Sequence, residues 1–266
     1  MKPQPVRLIA AALGLLAVAA GGVLVGPDLL SAADPDALWK IVHGLCVPSQ
    51  TIALNPAPCA YVSLGSAHEP GFAVLKDRTG QTQHLLIPTD RITGIEDPQL
   101  LKPGSEAYLV HAWAFRALDF ARIGHDLPDR DMSLAINSQY GRSQNQLHIH
   151  IDCVRPAVRD ALARDQASIG PEWKPMPEPL AGHVYQAMAM PADDLERTNL
   201  FRRLAAGAPP GTMGRETLVV IGAVLASGKP GFDVLADRAD ASTGDQASGE
   251  DVQDHDCALK SEQPAA

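Results

Sequence analysis

Between Gln146 and Cys153 the chain reads QLHIHIDC, a strict alternation of polar and apolar side chains. Successive side chains of a β-strand point to opposite faces, so a period of two fits a half-buried strand and no helix. Gln146, His148, His150 and Asp152 then share one face, and Leu147, Ile149, Ile151 and Cys153 the other. The apolar set needs a covering layer, so this strand belongs to a sheet with its imidazoles on the face away from that cover.

The flanking patterns supply the other layers. DPDALWKIVHGLC, 34–46, predicts a short helix with Asp34 as N-cap and Pro35 at the first helical position. VPSQTIALNPAPCA reads as loop from its prolines and asparagine. Strands are expected over 71–77 and 83–89, joined by the turn DRTG, and over 131–138. A helix is expected from 102 or 106 to 124, and another over 155–169. Later, 217–225 and 231–237 predict a hairpin, and 239–254, rich in Ala, Asp, Ser and Gly, predicts a solvated loop. This order implies an α+β fold with an antiparallel sheet. PGFAVLKDR at 70–78 and PGFDVLADR at 230–238 agree at seven of nine positions. They are compatible either with an internal duplication whose second half is degenerate or with coincidence.

Lys2 and Arg7 precede an uncharged run over 8–25. Eighteen helical residues reach roughly 27 Å, near the lower limit for spanning a bilayer. A signal peptide cleaved after Ala17–Ala19 is the rival, but the apolar run continues past that point. A transmembrane anchor with a cytoplasmic N-terminus at 1–7 and a linker at 26–33 is therefore expected, the body lying beyond the membrane. Four cysteines, Cys46, Cys59, Cys153 and Cys257, suit an oxidising compartment. Cys46 and Cys59 flank the Pro-rich loop and could close it, leaving Cys153 for Cys257; three pairings remain open. A net charge of −9 and a pI near 5.4 argue against a nucleic-acid partner.

Two imidazoles on one face admit three uses. A zinc site would need further ligands, for which Asp152 is the near candidate. Hydrogen-bonded strand residues are the second use, though burying two polar rings without a task is costly. Covalent catalysis on phosphorus is the third: a neutral ring nitrogen attacks while a neighbouring donor stabilises charge on the phosphoryl oxygens. His148 would attack and His150 would donate. Arg142, Ser143, Gln144, Asn145 and Gln146, just upstream, are the expected phosphate-binding residues, with Asn137 and Arg91 behind them.

This stretch resembles the histidine-triad (HIT-like) superfamily, whose mark is three histidines alternating with apolar residues. His148 matches the nucleophile and His150 the third position, while Gln146 stands where the first histidine belongs. The segments PTDRITGIEDP, PDRDMSLAINSQYGRSQNQLHIHIDCVRPAVR, GHVY and DVQDHDC, in order, resemble the bacterial CDP-diacylglycerol pyrophosphatase family within it. The resemblance implies a HIT-like catalytic domain over 34–257, with 238–256 a flexible acidic segment and 258–266 a tail. It also implies hydrolysis of CDP-diacylglycerol to CMP and phosphatidate at the inner membrane, through a cytidylyl-histidine, without metal or cofactor. Transfer to another acceptor, or a tethered binding module for nucleotides or lipid headgroups, are the alternative functions.

Overall fold

Period-two patterning recurs along the chain, and its strands join into one sheet. In the computed structural model, which describes residues 34–262, nine strands form it. They are β1 (Tyr61–Ser63), β2 (Phe72–Lys76), β3 (His84–Pro88), β4 (Met132–Ile136), β5 (Ile149–Cys153), β6 (Lys174–Pro175), β7 (Gln186–Pro191), β8 (Glu216–Val224) and β9 (Pro230–Arg238). All pairings are antiparallel, in the order β1-β2-β3-β5-β4-β8-β9-β7-β6. The helices are α1 (Ala37–Ile41), α2 (Val47–Ala53), α3 (Ala107–Ala114), α4 (Ala117–Ile123), α5 (Pro156–Asp165) and α6 (Leu200–Gly207). The expected α+β class with an antiparallel sheet is what the chain forms. The proposed anchor at 8–25 lies outside the described residues, among which no helix is long and apolar enough to cross a membrane.

The two faces of the sheet are covered differently, and this creates the site. On one face Val74, Leu86, Leu134, Ile149, Ile151 and Val220 pack with Tyr108 and Leu109 of α3 and Phe201 of α6 in a continuous core. On the other face the cover is split. Leu38, Ile41 and Val42 pack on Ala73, Leu85 and Ile87 at one side. Val158 and Leu162 of α5, with Val252 and Leu259, pack on Ala135, Val219 and Leu235 at the other. The register carries one row across this face: Leu85, His150, Ala135, Val219, Leu235. His150 stands where one patch ends and the next begins.

Outward from the central β4–β8 pair the sheet reads β4, β5, β3, β2, β1 one way and β8, β9, β7, β6 the other. The two matching nonapeptides lie on β2 and β9, the fourth and second strands outward from that pair.

Several expectations are corrected. The stretch after Cys46 is not loop: a π-helical turn at Val42–Cys46 leads into α2, which runs to Ala53. Pro48 sits at the start of α2, where its missing N–H costs little. Asp36, not Asp34, is the N-cap residue of α1. The helix expected to end near 124 divides into α3 and α4, and the division turns Asp119 inward onto His84, Nδ1 to Oδ1 2.5 Å. The strand holding the histidines is paired from Ile149 only, although His148 keeps its face. The segment 238–256 is solvated only in part: 240–244 and Gln246 are exposed, as expected, whereas Ala247, Val252 and Gln253 are buried against the body. Val252 completes the α5 patch, and the Cys153–Cys257 disulfide follows just beyond the segment. Leu259 is also buried, so the packed body extends past residue 257. The cysteines pair Cys46–Cys59 and Cys153–Cys257.

Candidate active site

A backbone carbonyl sets the chemistry of His148. Its Nδ1 lies 2.7 Å from the Gln146 carbonyl oxygen, which can only accept, so Nδ1 carries the proton and the lone pair is left on Nε2. Burial, then the neighbouring charge of His150, lowers the ring's pKa from 6.5 to about 4. At neutral pH His148 is an uncharged imidazole whose free nitrogen is a nucleophile.

His150 is set the opposite way. Its ring stands 4.8 Å from that of His148, centroid to centroid, at 65°. Its Nδ1 is 2.9 Å from Gln83 Nε2 and 3.1 Å from Glu250 Oε1. A neutral ring accepting from Gln83 carries its proton on Nε2; a charged ring donating to Glu250 carries one there as well. In both states Nε2–H is a donor, and it is buried with no protein partner.

Glu250 is built in from the C-terminal segment. Its Oε2 accepts from Asn137 Nδ2 at 2.6 Å and its Oε1 from Gln83 Nε2 at 3.2 Å. Burial pushes this carboxyl up, but His150 and the donors from Asn137 and Gln83 outweigh it, holding the pKa below the usual value. Behind the pair, Asp152 accepts from Thr82 Oγ1 at 2.7 Å and the Cys153 amide at 2.9 Å, and pairs with His255 Nδ1 at 2.8 Å. It is therefore committed to these partners, not to completing a metal site with the two imidazoles.

Both histidines line a cavity of about 460 Å³. Ala37, Leu38 and Ile41 of α1 and Leu75 form an apolar wall, and Asn137, Ser143, Gln144 and Glu250 a polar one. The β2–β3 turn, Asp77 to Thr79, closes one side.

The upstream residues divide. Ser143 is exposed at the cavity, and Asn137 lines it while holding Glu250. Gln144 also lines it, but its side chain chiefly anchors α1, accepting from the Leu38 amide at 3.1 Å and donating to the Asp34 carbonyl at 3.0 Å. Gln146 donates to the Pro88 and Asp90 carbonyls at 3.1 and 2.8 Å, and supplies the carbonyl that orients His148. That last role needs only main chain, so it does not depend on the side chain at position 146.

Three expected ligands do not face the cavity. Asn145 is held through its own amide on the Pro35 carbonyl, and Arg91 pairs with Asp36 and lies over the Trp39 ring at 5.3 Å. Arg142 makes two 2.6 Å bonds to the Glu96 carboxylate, its guanidinium packed against Gly94. Breaking a largely buried pair strands a charge. Arg142→Ala should accordingly cost about 3 kcal/mol in urea unfolding, with KM for substrate little changed. A raised KM at unaltered stability would return Arg142 to the phosphate. Gln83 and Glu250 were invisible to sequence reasoning: one ends a turn, the other sits in a segment with no periodic pattern.

An antiparallel sheet presenting two imidazoles side by side in an open cleft, one with a free lone pair and one with a free N–H, defines an α+β protein with a paired-histidine cleft. Comparison narrows the class. The family model for CDP-diacylglycerol pyrophosphatase matches residues 33–261. A CDP-diacylglycerol pyrophosphatase of Yersinia pestis is 45% identical over 226 residues, covering 84% of each chain. The chain belongs to the CDP-diacylglycerol pyrophosphatase family. Among solved structures, a DUF4931 family protein from Bacillus cereus ATCC 10987 aligns with a TM-score of 0.43 at 13% identity, over 66% of this chain and 85% of that one.

Proposed function

We propose that this chain hydrolyses the pyrophosphate bond of CDP-diacylglycerol to CMP and phosphatidate through a covalent cytidylyl-histidine. The observation that carries the reading is the opposed set of the two rings: His148 offers a lone pair at Nε2 and His150 a proton at Nε2, 4.8 Å apart by centroid. His148 Nε2 attacks the cytidylyl phosphorus; an N–P bond forms as the P–O bond to phosphatidate breaks. His150 Nε2–H stabilises charge on a phosphoryl oxygen. Phosphatidate leaves as a weakly basic phosphate and needs little acid catalysis. Water then attacks the same phosphorus, releasing CMP and the neutral ring. The apolar wall from α1 and Leu75 offers surface to an uncharged part of the substrate.

The proposal includes a membrane anchor at 8–25 that holds the catalytic domain on the periplasmic side of the inner membrane, within a lipid-metabolic role. Extracting a diacylglycerol from the bilayer costs roughly 0.8 kcal/mol per methylene, so a tethered enzyme meets its substrate more readily than a diffusing one. It also includes a HIT-like, internally doubled sheet. In the mirrored order β9 corresponds to β5, and its face carries Asp233, Leu235 and Asp237 in place of His148 and His150, so the second half is degenerate.

The test is to mix full-length protein in detergent micelles with CDP-diacylglycerol, quench in alkali and map the peptides by mass. A cytidylyl group on His148 is the expected result. Labelled-water oxygen appearing in phosphatidate instead of CMP, or full turnover with no protein adduct at any time point, would overturn the covalent route.

A further inference from the structure

Away from the catalytic cleft a second histidine has more acceptors than protons. His183, just ahead of β7, places Nδ1 2.9 Å from Asp245 Oδ2 and 3.5 Å from Asp237 Oδ2. These three ligand-type atoms all lie within 4.8 Å of one another. On the far side of the ring, Nε2 lies 3.2 Å from Asp251 Oδ2. One proton on Nδ1 serves Asp245 and leaves Asp237 wanting. Its Oδ2 is buried without a hydrogen-bond partner, on a side chain only 9% exposed.

A second orphan faces the same place. Tyr185 is fully buried and its hydroxyl has no partner. It lies one position before the Gln186–Ala236 pair, hence opposite Asp237, and its ring is 6.3 Å from that of His183. After burial, the charges of Asp237, Asp251 and Asp245 act most on its phenol, pushing it up. Unsatisfied buried groups cost free energy, and two aimed at one histidine call for a shared partner.

We propose that His183 Nδ1, Asp237 Oδ2 and Asp245 Oδ2 bind a divalent transition metal of the zinc class. A cation among the three atoms satisfies both carboxylates and the ring nitrogen together. The mixed nitrogen and carboxylate set favours zinc over calcium or magnesium. Nε2–H donating to Asp251 completes the carboxylate–histidine–metal arrangement that fixes a ligand ring. The role is structural. Asp237 lies next to the end of β9, whereas Asp245 and Asp251 bracket the segment that carries Glu250. The metal therefore fastens the loop delivering Glu250 to the sheet, whatever reaction the cleft performs.

The test uses full-length protein in detergent, stripped with EDTA and dialysed. Zinc added back should bind at about one per chain by elemental analysis and raise the unfolding temperature with the logarithm of free zinc. His183→Gln and Asp245→Asn should each abolish both effects, while His148→Ala keeps them. Cobalt on unmutated protein should give a visible absorption band that zinc displaces, a reading that needs no folded variant. No zinc-dependent shift together with no displaceable cobalt band, or zinc retained at full stoichiometry in both variants, overturns the site.

Discussion

His148→Ala is expected to lower CDP-diacylglycerol turnover by about 10⁴-fold or more, the scale of losing a covalent nucleophile whose neighbours cannot replace it. The neighbouring imidazole is no substitute, because Nδ1 of His150 is occupied by Gln83 and Glu250 and its Nε2 carries a proton. The fold should tolerate the change. His148 touches the cavity and spends one hydrogen bond on the Gln146 carbonyl, so its removal costs about 1–2 kcal/mol. Imidazole added to the variant can enter the space left and should restore part of the CMP release. The acid limb of the unmutated enzyme follows from the same ring. Since burial lowers the His148 pKa to about 4, the nucleophile stays neutral at pH 5, where an ordinary imidazole would be mostly charged. Activity should fall as pH drops through about 4, not through 6.5. Turnover within tenfold of normal in His148→Ala would place the nucleophile elsewhere.

What the sequence made legible is what depends on local period. Alternation in QLHIHIDC put both imidazoles on one face because strand geometry alone dictates it. The same logic found β2, β3, β4, β8 and β9 to within a residue or two. It missed β1, β6 and β7: the first two, three and two residues long, are too short for a period to be measured, and the Ala-Met run of β7 shows no polar alternation. It misplaced Arg142, because composition marks a guanidinium near a phosphate site but cannot show Glu96, 46 residues earlier, folding against it. Glu250 was hidden for a related reason. It lies in a stretch of Ala, Ser, Gly and Asp that reads as solvated, and tertiary contacts, among them the Val252 packing, the Gln253 bond to Ser133 and the Cys153–Cys257 link, bring it onto the sheet. The site is thus half local and half tertiary: the strand supplies the two imidazoles, and a distant segment supplies the carboxylate.

That carboxylate carries the second large effect. Glu250→Gln preserves size and shape yet removes a charge from His150 Nδ1, 3.1 Å away. It also sets an amide NH₂ against a donor, since Asn137 Nδ2 and Gln83 Nε2 both point at the carboxylate. Glu250 braces the His150 ring through Nδ1, leaving Nε2–H to donate toward a phosphoryl oxygen. Losing such support should lower kcat by about 10²-fold, with KM moving far less, because the interaction grows as charge develops in the transition state. The sign with pH follows from the carboxyl's lowered pKa: its contribution is present above that value and lost as pH falls through it. Glu250→Gln should therefore narrow the gap to unmutated enzyme at the acid end, where both lack the charge. A near-isosteric amide that kept kcat within twofold across the range would reduce Glu250 to a brace for Asn137 and Gln83.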